Sequence, residues 1–141
     1  MLESMLVLGI KRANKWHMAK IVVIDDEPGI LRIACLALEA AGHSVVAYPD
    51  GRGGIEHINR ERPDLLITDL FMPEMEGLET IRLARDLRSE LPIIAMSGVY
   101  FEGGDYLEIA EKFGAVATLK KPFRPAELLD LVARLLVQRQ G

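Results

Sequence analysis

Cysteine is nearly absent. Cys35 is the single thiol in 141 residues, so no disulfide can form within the chain. It falls on the apolar side of a predicted helix, where a thiol serves as a small hydrophobe rather than a nucleophile. No run of about 18 apolar residues occurs, which argues against a membrane-spanning helix. A basic excess is also missing. The 17 Lys and Arg stand against 21 Asp and Glu, a formal net charge of −4. That leaves no global field to hold nucleic acid. The basic residues near the C-terminus are interspersed with Glu127 and Asp130 and read as a solvated helix face. No internal repeat, low-complexity stretch or linker to a second domain is visible. A secretory signal is missing too: the apolar stretch 1–10 is followed, not preceded, by Lys11 and Arg12, and no small-residue cleavage site comes after it. A cytoplasmic location is therefore expected, with no membrane or direct nucleic-acid partner.

What is present fits one globular domain, with 50% hydrophobic and 27% charged residues. Met18 is followed at once by Ala19, Lys20 and an apolar run. Residues 1–17 are read as an extension outside the fold, and residues 18–141 as the domain. From there, strand and helix patterns alternate. Strands are expected at residues 20–25, 44–48, 65–69, 93–96 and 115–119. Helices are expected at 28–41, 51–60, 77–88, 105–113 and from Pro125 onward. Pro28 suits a first turn, Gly42 a helix end and Asp50 an N-cap. Arg124 is a poor cap for the last helix. The strands are apolar on both faces, as parallel strands covered by helices should be. Short connections imply right-handed crossovers and a three-layer, doubly wound α/β sheet.

The chemistry gathers where apolar runs end. Asp25 and Asp26 follow the first run, Asp69 the third, Ser97 the fourth and Lys121 the fifth. In an open parallel sheet these ends share the edge where ligands bind. Three carboxylates there would repel one another, and a hard divalent cation with oxygen ligands would relieve the repulsion. A strand-end carboxylate can also act as a nucleophile toward phosphorus. Lys121 and the Ser97 hydroxyl would then meet phosphoryl oxygens, and Gly98 would let backbone approach closely. Taken singly, each residue has a plainer reading. Asp25 would cap the first helix, Asp26 would be a first-turn acid, Ser97 a turn residue, and Lys120 and Lys121 a solvated pair. The ordered set favours the site.

Val-Ile-Asp-Asp-Glu at 23–27, Asp69-Leu70-Phe71-Met72-Pro73 with Gly77, Ser97-Gly98 and Lys121-Pro122-Phe123 make residues 18–138 resemble the response regulator receiver domain, the CheY-like family of two-component signalling. The resemblance implies a flavodoxin-like sheet of order 2-1-3-4-5. It implies Asp69 as phosphoacceptor and Mg2+ as cofactor, held by Asp25, Asp26, Asp69 and the Phe71 carbonyl. Lys121 would pair with the phosphoryl group, Ser97 would be the switch hydroxyl, and the bond before Pro122 would be cis. The implied donor is a histidine kinase, a phosphotransfer protein or a small phosphodonor. The implied output is altered binding of a downstream protein target through the fourth helix, fifth strand and fifth helix. Such a protein is a signalling switch that catalyses its own phosphorylation and dephosphorylation, working as a stand-alone regulator or phosphorelay shuttle. The alternatives are a phosphate-independent interaction module and the receiver fragment of a larger regulator.

Two departures from the family's pattern stand out. Thr118 stands where relatives often carry an aromatic switch residue, so Tyr100 or Phe101 would have to substitute. Phe71 and Val99 are apolar where polar residues often handle the hydrolytic water, which implies slow autodephosphorylation. Two rivals on related folds fit less well. A haloacid dehalogenase-type phosphatase needs Asp-x-Asp after its first strand, not Asp25-Asp26-Glu27. A flavodoxin needs a hydroxyl-rich phosphate loop there, and these acids would repel phosphate.

Overall fold

The β-branched run Ile21-Val22-Val23-Ile24 forms the inner strand on which the sheet is laid. The computed structural model describes residues 18–72, 77–98 and 106–140. The predicted extension 1–17 lies outside the described residues. Five strands, β1 (Lys20–Ile24), β2 (Ser44–Tyr48), β3 (Leu65–Asp69), β4 (Ile93–Ser97) and β5 (Ala117–Lys120), pair in parallel in the order β2-β1-β3-β4-β5. Among the described residues, five helices alternate with them: α1 (Pro28–Ala40), α2 (Gly51–Arg60), α3 (Gly77–Leu87), α4 (Tyr106–Phe113) and α5 (Pro125–Gln140).

Alternation along the strands builds two cores. Ile21, Val23, Leu65, Ile67, Ile94 and Met96 pack with Ala34 and Leu38 of α1 and Leu128, Val132 and Leu136 of α5. Val22, Ile24, Leu66, Ile93 and Ala95 face Ile58 of α2, Ile81 and Ala84 of α3 and Ala110 of α4. Each fully buried Ile or Leu stabilises the fold by roughly 1.5–3 kcal/mol. The predicted doubly wound fold is the observed one.

Local chemistry sets most of the boundaries. Asp50 Oδ1 accepts a hydrogen bond from Gly53 N at 2.8 Å and caps α2 as expected. α1 ends at Ala40 with Ala41 as its C-cap, and the chain turns away at Gly42, with φ of 103°, where Gly42 N donates to Glu39 O and His43 N to Leu38 O. His43 is buried, and its Nδ1 accepts from Ala19 N at 3.1 Å. Burial lowers its pKa. At α5 the weak cap is offset from inside the helix, since Arg124 N donates to Glu127 Oε1 at 3.4 Å.

Some expectations shift. β5 begins at Ala117, not Ala115, because Ala115 N is still committed to Ala110 O in the turn that closes α4, and only Val116 N makes the first bond across, to Ile93 O. Ser97 belongs to β4 rather than following it. Asp25 lies just past β1 and is not the α1 cap. The N-cap is Glu27, with no side-chain cap bond and no acid in the first turn. Cys35 is half-buried, and burial raises its pKa.

Candidate functional site

Parallel pairing in register brings the strand ends to one rim. Ile24 lies opposite Thr68, Asp69 opposite Met96, and Ser97 opposite Lys120. Asp25 comes one residue after β1, and Lys121 one residue after β5. Lys121 N donates to Ser97 O at 3.0 Å, which joins the last two rim segments. The Lys121–Pro122 peptide is cis.

Gly77 brings α3 against the end of β3. Its N–H donates to Leu70 O at 3.1 Å, and a Cβ there would overlap the Asp69 carbonyl oxygen and Leu70 Cα. Gly98 is closely approached as well, though less severely. A Cβ on it would press at 3.3 Å on both the Lys121 carbonyl oxygen and Cβ.

The centre of the site is Lys121. Its Nζ lies 2.5 Å from Asp25 Oδ2, 3.3 Å from Asp69 Oδ1 and 3.3 Å from Glu27 Oε1. Asp25 and Asp69 are buried, and Ser97 is buried beside them in β4. Asp26 is exposed. Burial raises the Asp25 pKa despite the hydrogen bond from Lys121. Asp69 is pushed up to about 6, by burial first and by the Asp25 charge second, with Lys121 acting against both. For Lys121, burial works against the charged form, but Asp25 and Asp69 outweigh it and the pKa rises. An opening of about 490 Å³ gives access, lined by Asp26, Glu27, Asp69, Phe71, Gly98 and Lys121 among others.

These residues fit a hard divalent cation. Asp25, Asp26 and Glu27 each offer a carboxylate oxygen within 4.8 Å of the others. The donors are all oxygen, and Asp25 and Asp69 are both buried on one rim with Lys121 between them, so a further cation would relieve the crowding of negative charge.

The structure thus brings together Asp25, Asp26, Asp69, Phe71, Gly98, Lys121 and Pro122 around the opening. Thr118 stands apart, half-buried on β5 opposite Ala95. Val99, Tyr100, Phe101 and Pro73 lie outside the described residues. In the sequence Glu27 stands out only as part of the acidic motif. Its contact with Lys121 had no sequence signal beyond its place beside the aspartate pair.

A parallel five-stranded sheet with carboxylates and a lysine on its carboxyl rim defines the class of CheY-like α/β domains. The family model for the response regulator receiver domain matches residues 21–133, and the chain belongs to that family. Receiver domains are signalling parts of two-component systems. The response regulator receiver protein CpdR of Brucella abortus is 30% identical over 120 residues, covering 85% of this chain and 98% of that protein. The alkaline phosphatase synthesis transcriptional regulatory protein PhoP of Bacillus subtilis is 30% identical over 117 residues, covering 83% of this chain. The chain spans 48% of the length of PhoP and 18% of that of the Escherichia coli regulator GlrR. Among solved structures, the CheY-like receiver domain protein of Methanospirillum hungatei matches with a TM-score of 0.80 and 27% identity, covering 88% of this chain and 99% of that one.

Proposed function

We propose that Asp69 accepts a phosphoryl group from the phosphohistidine of a histidine kinase or phosphotransfer protein, or from a small acyl phosphate. The acceptance then alters the affinity of the α4–β5–α5 face for a downstream protein target. One observation carries the reading: the Lys121 ammonium stands between the buried Asp25 and Asp69 carboxylates at the open rim.

In the transfer, an Asp69 oxygen forms a bond to phosphorus as the donor's P–N or P–O bond breaks. The donor leaves with the bonding electron pair, as imidazole or carboxylate. Lys121 meets the negative oxygens of the transferred group, and Ser97 donates its hydroxyl to one of them. Hydrolysis by water returns Asp69 to a free carboxylate, so the chain turns over its own modification.

Asp25, Asp26, Asp69 and the Phe71 carbonyl would hold Mg2+. When bound, the ion neutralises the crowded carboxylates and the charge on the phosphoryl oxygens. The new dianion biases a two-state element toward one arrangement, with Ser97 drawn inward from the end of β4. With Thr118 in the place of an aromatic, Tyr100 or Phe101 would carry the coupling to the output face.

The reading suits a stand-alone regulator or phosphorelay shuttle acting in the cytoplasm, and equally a receiver portion of a longer regulator. Among the described residues no helix is long and apolar enough to cross a membrane. The test is intact mass after incubation with acetyl phosphate and Mg2+, with a chelator and Asp69→Asn as controls. One added phosphoryl group that needs both Mg2+ and Asp69 supports the reading. No adduct, together with no beryllofluoride binding, overturns it.

A further inference from the structure

Glu27 lies near the Asp25 and Asp26 carboxylates but is outside the ligand set proposed above. Its carboxylate also lies 3.3 Å from the Lys121 Nζ, 94 residues along the chain. It stands at the N-cap of α1 but makes no side-chain cap bond there. Its own N–H is committed to Asp25 Oδ1 at 2.9 Å, which fixes the backbone beside the rim and leaves the side chain to cross the opening.

An ammonium has three N–H donors, and Lys121 faces three carboxylates. Two of them are enclosed: the side chains of Asp25 and Asp69 are 0% and 6% exposed, against 62% for Glu27. Asp25 cannot leave Lys121 without stranding a buried charge. Glu27 can turn into water at little cost, because an exposed ion pair is weak.

We propose that Glu27 is a displaceable counter-ion of Lys121. It is a positioning residue that holds the lysine at the mouth of the cleft until a phosphoryl group on Asp69 takes its place, and it slows phosphorylation by anionic donors meanwhile. The inference rests on the phosphoacceptor reading of Asp69. An incoming dianion needs a Lys121 donor, and Glu27 is the partner that can yield one. Its like charge, on the lining of the same opening as Asp69, also opposes the dianion's approach. Glu27 thereby ties the resting state of the lysine to the N-terminus of α1 and releases that tie on modification.

The full chain, wild type and Glu27→Gln, is followed by intact mass over time with acetyl phosphate at saturating Mg2+, in low and high salt. The Mg2+-induced rise in melting temperature is measured without donor. The expected result is labelling about threefold faster in Glu27→Gln at low salt, the factor of a surface ion pair. The gap should close at high salt, and the Mg2+-induced rise should be unchanged. Glu27→Asp keeps the charge but shortens the arm by one methylene, and it should also label faster than wild type. Equal or slower labelling of Glu27→Gln overturns the proposal. So does a wild-type rate in Glu27→Asp, which would leave only a general field effect. A smaller Mg2+-induced rise in Glu27→Gln also overturns it, since that would put Glu27 on the ion rather than on the lysine. If wild type gains no Asp69-dependent phosphoryl group, the phosphoacceptor reading falls and takes this proposal with it. An adduct that forms equally fast on both chains sinks the proposal alone.

Discussion

Lys121 and Asp25 form the closest ion pair of the rim, 2.5 Å from Nζ to Oδ2, while the Asp69 oxygen lies at 3.3 Å. The buried carboxylate after β1 thus holds the lysine in place and leaves Asp69 the looser partner. This is the arrangement a nucleophile needs if the lysine is to follow the charge onto a transferred phosphoryl group. It also makes the pair structural, because Asp25 is fully buried.

Removing Lys121 should therefore unsettle the fold as well as the chemistry. Lys121→Met leaves Asp25 uncompensated and should destabilise the chain by about 3 kcal/mol. The double variant Asp25→Asn/Lys121→Met should recover much of that loss. Urea denaturation of the four chains of the cycle measures it. A Lys121→Met chain as stable as wild type would show that the pair contributes nothing.

Asp69 gives stability an unusual pH dependence. Its pKa is raised from 3.8 to about 6 in the folded chain. Between those two values the folded state therefore holds a proton that the unfolded chain has released. The associated stability is full below pH 3.8 and is lost as pH rises through about 6. At pH 7.5 without Mg2+, Asp69→Asn should be more stable than wild type by up to about 3 kcal/mol, since each tenfold change in proton affinity is worth about 1.4 kcal/mol. At pH 3.5 the gain should vanish, and Mg2+ should shrink it at pH 7.5. Thermal melts at the two pH values, with and without Mg2+, give the comparison.

Gly77 reports on the seat of Asp69. A Cβ there meets rigid backbone at Asp69 and Leu70, not a side chain that can turn aside. Gly77→Ala should cost about 1–3 kcal/mol by overpacking. It should also slow phosphorylation by displacing the end of β3. By contrast, a Cβ at Gly54 meets the buried Ile24 side chain at Cδ1 and Cγ1, away from Asp69, so Gly54→Ala should cost stability by overpacking but leave the labelling rate near wild type. Denaturation and labelling rates on the two variants would show whether this contrast holds.

Phe71 lines the opening beside Asp69 and offers no side-chain hydrogen bond to a hydrolytic water. The phosphoryl group should therefore be long-lived. Phe71→Asn should shorten its lifetime by roughly an order of magnitude, through a polar group that can orient water. Decay of the phosphorylated mass after donor removal measures this. An unchanged lifetime would remove Phe71 from the hydrolytic step.

Much of this was legible in the chain. The β-branched runs marked the inner strands, and Pro28, Gly42 and Asp50 marked helix ends because those residues act on adjacent backbone. The short, glycine-bearing α2 was found at its observed bounds through its cap. The apolar pattern starts β5 two residues before its observed start at Ala117, because Ala115 and Val116 are apolar whether or not they enter the strand. The acids, Ser97 and Lys121 were recognisable because each follows an apolar run, and parallel pairing sends all such ends to one edge.

Sequence by itself determined the alternation of strands and helices, the two-faced burial of the sheet and the inventory of groups on its rim. Those depend on periodicity and on contacts a few residues apart. Tertiary structure decided that Asp25 is buried while Asp26 is exposed, that Lys121 leans to Asp25 over Asp69, and that Glu27 completes its set of partners. Adjacent carboxylates of the same chemistry differ there only in the direction the backbone turns after β1. That direction goes with bonds that periodicity does not display: Asp25 N donates to Tyr48 O at the end of β2, Glu27 N donates to Asp25 Oδ1, and Lys121 pairs with Asp25 from the far end of the chain.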